Sequence, residues 1–131
     1  MTTDGIGEDV RQFIFESIDS VEQLEVLIYL RHHPDTSHFP EEISQVMRST
    51  PESVAVRMLT LERQGFITGD RKLGFKYRPD LGADDVIGRA EESFRSRPHT
   101  VMEMIFSPMK KARGFAEAFI VKRRKSEDPN G

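Results

Sequence analysis

Three histidines and an aspartate, His32, His33, Asp35 and His38, fall close together in the chain, and such side chains are the ones a transition metal binds. Zinc, however, needs three or four ligands in tetrahedral geometry. These four lie in a Pro34-containing loop without the i, i+4 register that puts two histidines on one helix face, and His99 is remote. The segment reads as a loop with exposed histidines, and no metal is expected. The adjacent carboxylates Glu41-Glu42, Asp84-Asp85 and Glu91-Glu92 are of the type that serves general acid-base chemistry. They fall at helix starts or on helix faces, where the helix dipole accounts for acids without catalysis. The absence of cysteine excludes disulfides, thiolate catalysis and Cys-based zinc sites. With neither a phosphate-cradling glycine loop nor a nucleophile elbow, the chain is not expected to be an enzyme or to hold a cofactor.

A second group of side chains points elsewhere. Arg48, Ser49, Thr50, Ser53 and Arg57 bring hydroxyls and guanidiniums together around one turn and the start of a helix. Such donors hold phosphates and read base edges from a helix lying in the major groove of duplex DNA. Glu52 lies in the same arc, and a solvated helix face with ordinary hydroxyl capping is the alternative. Further on, Arg71 and Lys72 occupy a hairpin loop, and Lys76 and Arg78 alternate on the return strand beside Phe75 and Tyr77. Basic side chains on one strand face can straddle a phosphate backbone. They also keep a sheet edge from pairing with another chain, and both readings stay open. Phe75 and Tyr77 are expected to pack inward.

The elements that must position these residues are legible from apolar spacing. Glu41 to Met47 carries Ile43, Val46 and Met47 on one face. Thr50 then caps a second helix with Pro51 at its first position, and Val54, Met58 and Leu61 mark its buried side up to Gly65. Phe66-Ile67-Thr68 and Phe75-Lys76-Tyr77 flank a glycine-bounded loop from Gly69 to Gly74, which predicts a hairpin. Upstream, Glu8 to Ile18 predicts a short helix, and Ser20 with Gln23 fits a capping box for a helix running to about Arg31 that buries Leu24, Leu27 and Ile28.

Helix, turn, helix and basic-tipped hairpin is the order of a winged helix-turn-helix. The sequence resembles that family, in the sense of the bacterial MarR- and PadR-like regulators, at Ile43, Val54, Met58 and Leu61-Glu62-Arg63-Gln64-Gly65-Phe66-Ile67. The resemblance covers roughly half the chain. It implies a mainly α fold with a small β-hairpin and additional C-terminal helices, DNA contacts from Arg48, Ser49, Thr50, Ser53, Arg57, Arg71, Lys72 and Lys76, and a homodimer built by terminal helices outside the reading unit.

After the hairpin, Ala83 to Ser96 is expected to be helical, with Ile87, Ala90 and Phe94 along one side. Val101, Met102, Ile105 and Phe106 predict a short apolar helix, and Pro108 to about Lys125 a last one. In that last segment Met109, Ala112, Phe115, Ala116, Phe119 and Ile120 form an apolar stripe, fit for a dimer seam or for ordinary core. The Lys122–Lys125 run closes it as a dipole-matched, solvated end, the alternative being a contact for phosphate, anionic lipid or an acidic partner. The expected organisation is an acidic, partly disordered segment over 1–19, the winged unit over 20–80, a helical extension over 81–125 and a tail over 126–131.

Charge is distributed unevenly. Residues 1–30 hold one base and seven acids, residues 31–80 eight and seven, and residues 81–131 ten and eight, for a net −3 over 131 residues. A nearly neutral reading unit permits DNA binding without requiring it. Two functions therefore follow from the sequence: a DNA-binding transcriptional regulator, or a winged helix used as a protein-interaction module in a transcription or signalling system. No apolar run approaches the length of a bilayer span, so membrane insertion is not expected and the cytoplasm is the expected location.

Overall fold

A computed structural model describes residues 5–107. The described chain runs α1 (Glu8–Ser17), α2 (Val21–His32), α3 (Pro40–Met47), α4 (Pro51–Arg63), β1 (Ile67–Asp70), β2 (Gly74–Tyr77), α5 (Leu81–Ser96) and α6 (Pro98–Ile105). α2, α3, α4 and the hairpin pack on one another, while α1 lies against α5 and α6. The two groups share one core that includes Ile14, Leu24, Leu27, Met58, Leu61, Phe75, Ile87 and Val101. Ile6, read from sequence as part of a polar start, is buried in that core. The apolar stripe from Met109 to Ile120 and the Lys122–Lys125 run lie outside the described residues.

Local chemistry explains where the elements begin and end. The Ser20 hydroxyl accepts from the Gln23 backbone N–H at 3.1 Å, as a capping box requires. Gln23 returns its bond to the N–H of Asp19 at 2.7 Å rather than to that of Ser20. At the far end of α4, Gly65 takes a left-handed φ of 85°. The N–H groups of Gly65 and Phe66 then bond the carbonyls of Glu62 and Leu61, a Schellman closure that turns the chain into β1. Phe66 meets Phe13 of α1 edge-on at 5.6 Å, which ties this turn to the second group of helices.

The hairpin pairs Ile67 with Tyr77 and Asp70 with Gly74. The strands therefore extend into what the sequence suggests is loop, leaving Arg71, Lys72 and Leu73 at the tip. Asp70 Oδ1 accepts from the N–H groups of Lys72 and Leu73 at 2.9 and 2.7 Å and holds that turn. Phe75 exchanges two backbone bonds with His38, at 2.9 and 2.8 Å, so the residue just before α3 acts as a short third strand. His38 is buried, with Nδ1 2.9 Å from Glu42 and Nε2 2.8 Å from the His33 carbonyl.

α5 is fastened to α2 by charge as well as packing. The buried carboxylate of Glu91 is 3.3 Å from Arg31, 2.6 Å from His32 and 2.5 Å from Arg95. Arg31 also reaches Asp84, which accepts from the Tyr77 hydroxyl at 2.6 Å. A groove of about 650 Å³ opens beside this cluster, lined by Ile28, Tyr29, Met47 and Phe94 along with His32 and Arg95.

The wing depends on one close backbone approach. Gly69 sits at φ 128°, and a Cβ there would lie 2.1 Å from the Gly74 carbonyl oxygen. Gly69→Ala is therefore expected to break the register and lower stability by about 2 kcal/mol or more in urea unfolding, where a comparable change at the exposed Lys72 has little effect.

Candidate nucleic-acid interface

α4 has three kinds of surface. Val54, Ala55, Met58 and Leu61 are buried. Ser53, Arg57 and Gln64 form a polar flank turned toward α2. Glu52, Val56, Leu59 and Arg63 are exposed along the outer side. Leu59 and Val46, apolar positions that helical spacing alone would place at or near the packed side, are 42% and 55% exposed.

The polar flank converges on Glu22 of α2. The Ser49 and Ser53 hydroxyls each donate to its carboxylate at 2.5 Å, and Arg57 Nε donates at 3.1 Å. Two turns beyond Arg57, Gln64 donates to the Ser17 carbonyl at 2.8 Å and accepts from Gln23 at 3.2 Å. Burial works against the Glu22 charge, but the bonds from Ser49, Ser53 and Arg57 outweigh it and hold the carboxyl below the ordinary value. Thus three of the residues expected from sequence to face DNA are brought together, on a carboxylate of the chain itself. Sequence reasoning missed Glu22, which reads locally as a first-turn acid of α2. The one available signal is the i, i+4, i+8 spacing of Ser49, Ser53 and Arg57, a polar line at helical pitch beside an apolar one.

The other expected contact residues are disposed differently. Thr50 caps α4 by accepting from the Ser53 N–H at 3.2 Å, a bond that leaves the hydroxyl hydrogen to donate elsewhere. Arg71 pairs with Glu41 at 3.0 Å, and both are exposed, so this bond is weak. Lys72 is exposed at the hairpin tip and Lys76 is half-buried on β2. The expectation of exposed loop histidines fails at two positions: His38 is buried, and His32 ends α2 and reaches Glu91, while His33 stacks on Tyr29. Among the described residues no group of three or more His, Asp or Glu is arranged to hold a metal ion.

Arg48 stands apart. It closes α3 at φ 55°, ψ 45°, the one non-glycine residue with positive φ among those described. Its N–H bonds the Gln45 carbonyl, and that of Ser49 bonds Ser44, the closure that ordinarily takes glycine. A left-handed arginine costs about 1 kcal/mol, yet the side chain is exposed.

Two outcomes test this geometry. Arg48→Gly is expected to raise stability by about 1 kcal/mol in urea unfolding. Glu22 contributes stability above its unfolded value near 4.5 and loses it as pH falls through its lower folded value. Glu22→Gln is therefore expected to be less stable than the parent at pH 7, with the gap closing on acidification below about pH 4.5.

No family model matches the chain, and no curated protein matches it either. Among solved structures the chain is similar to MepR of Staphylococcus aureus, described as a transcription regulator of the multidrug efflux pump MepA, at 17% identity and a TM-score of 0.47 over 92% of this chain and 91% of that one. A mutant of MepR bound to an oligodeoxyribonucleotide aligns at 16% identity with the same coverage and TM-score. Similarity of this degree transfers no residue roles. The fold is evident from the chain's own elements: α2, α3 and α4 with a hairpin anchored at His38 are a winged helix-turn-helix, to which α1, α5 and α6 are added.

Proposed function

We propose that the chain is a bacterial DNA-binding transcriptional regulator, working in the cytoplasm as a homodimer, with α4 in the major groove and the hairpin on the phosphate backbone. The observation that carries this reading is Arg48, an exposed guanidinium held in a strained turn immediately before the N-terminus of an exposed helix. A helix start and an adjacent arginine together attract phosphate.

Around that point the roles divide by cost. Arg48, Thr50, Lys72 and Lys76 reach a phosphate without breaking an ion pair. Arg71 leaves a solvent-exposed bond to Glu41, which costs little. Ser49 and Ser53 must exchange Glu22 for a phosphate oxygen. Arg57 need not, because a guanidinium carries five donors and can bridge the carboxylate and a phosphate. The dimer seam is assigned to the stripe Met109, Ala112, Phe115, Ala116, Phe119 and Ile120, which would place two reading helices about one DNA turn apart.

The second reading, a protein-interaction module, is favoured by one observation: Glu52 and Glu62 accompany exposed Val56 and Leu59 on α4. A salt-titrated DNA-binding measurement on the full chain, with light scattering for its mass, separates the two. The regulator reading expects log affinity to fall linearly with log salt. Lys72→Ala should reduce that slope by about one, and Arg48→Gly should weaken binding severalfold while stabilising the fold. Failure to bind any duplex at low salt, or a monomeric mass, would remove the corresponding part of the proposal.

A further inference from the structure

With Ser49, Ser53 and Arg57 turned toward Glu22, the first two turns of the outermost line of α4 carry no donor to guanine, and exposed Arg63 lies at its far, C-terminal end. At about 100° per residue, Val56 lies about 160° to 200° from the buried Val54 and Met58, the most outward direction the helix offers. It is 54% exposed. One turn before it stands Glu52, whose charge is repelled by phosphates and by the acceptors on guanine N7 and O6. One turn after it stands Thr60, whose hydroxyl donates to the Val56 carbonyl at 3.0 Å and so faces its own helix.

We propose that Val56 is a specificity-determining residue that reads the C5-methyl group of a thymine in the major groove. The inference rests on the DNA-binding reading above and deepens it. Thymine is the base that presents an apolar group in that groove, and an apolar side chain is its natural partner. The polar surroundings of Val56 favour a base-pair edge over an apolar protein partner. Val56 is flanked along the helix by Glu52, Thr60 and Arg63, with exposed Leu59 to one side, so polar and charged groups interrupt the apolar surface around it. Its partner is therefore a single methyl-sized group set among polar ones, as in a base-pair edge.

The test is a bind-and-sequence selection from randomised duplexes with the full chain and with Val56→Ala. The selected site is then remade with deoxyuridine for thymidine at each position, which deletes only the methyl. Alanine is a better helix former than valine and the position is exposed, so the variant retains its fold. At one thymine per half-site the uracil change should weaken the parent about three- to fivefold, the worth of one buried methyl, and should leave Val56→Ala nearly unaffected. Equal losses in both proteins, or the same selected sequence from both, would overturn the assignment of Val56 while the DNA-binding reading stood. Absence of salt-dependent binding to any duplex would overturn both.

Discussion

Two hydroxyls and a guanidinium meet on the carboxylate of Glu22, and the setting of α4 on α2 depends on that meeting. α2 is buried on one side through Leu24, Leu27 and Leu30, so Glu22 is carried on a rigid support. α4 is seated on the same core by Val54, Met58 and Leu61. Apolar packing fixes how close the two helices come, but it is non-directional and leaves rotation about the α4 axis loosely defined. Charge-assisted hydrogen bonds are directional and stronger than neutral ones. Those from Ser53 and Arg57, followed by Gln64 on the same flank, select one rotation. That rotation turns Val56 outward and Ser53 and Arg57 to the side.

The same bonds set the electrostatics of the surface. A carboxylate that neutralises Arg57 also lowers the positive potential beside the α4 N-terminus. Two of the basic residues of segment 31–80 are paired locally, Arg57 with Glu22 from outside that segment and Arg71 with Glu41 within it. Encounter with a polyanion is weakly steered in such an arrangement, and discrimination then depends on close contacts. The outer side of α4 accordingly mixes apolar Val56 and Leu59 with charged Glu52 and Arg63.

Further bonds tie the winged unit together and to the helices around it. His38 joins the hairpin to the start of α3 through backbone bonds to Phe75, and its ring reaches Glu42 and the His33 carbonyl. Glu91 gathers Arg31, His32 and Arg95, joining α2 to α5. Arg89 reaches Asp9 and Asp85, joining α5 to α1. α5, α2 and α4 are thus joined by a continuous set of bonded groups, Glu91 between α5 and α2 and Glu22 between α2 and α4.

Periodicity and capping in the sequence were enough to determine the helices, the hairpin and their order, because those signals are local. Ser20 with Gln23, Thr50 with Pro51, and Gly65 act within a few residues of themselves, and Val54, Met58 and Leu61 declare a face by spacing alone. The candidate contact residues were legible as types for the same reason. Their orientation was decided only by tertiary structure. Ser49, Ser53 and Arg57 lie 27, 31 and 35 residues from Glu22, and nothing local in either segment distinguishes donors offered to DNA from donors taken up by the chain's own acid. Ile6, His38 and Glu91 were hidden likewise: an apolar residue in a polar start, a loop histidine and a helix-face acid acquire their roles only when distant strands and helices close around them.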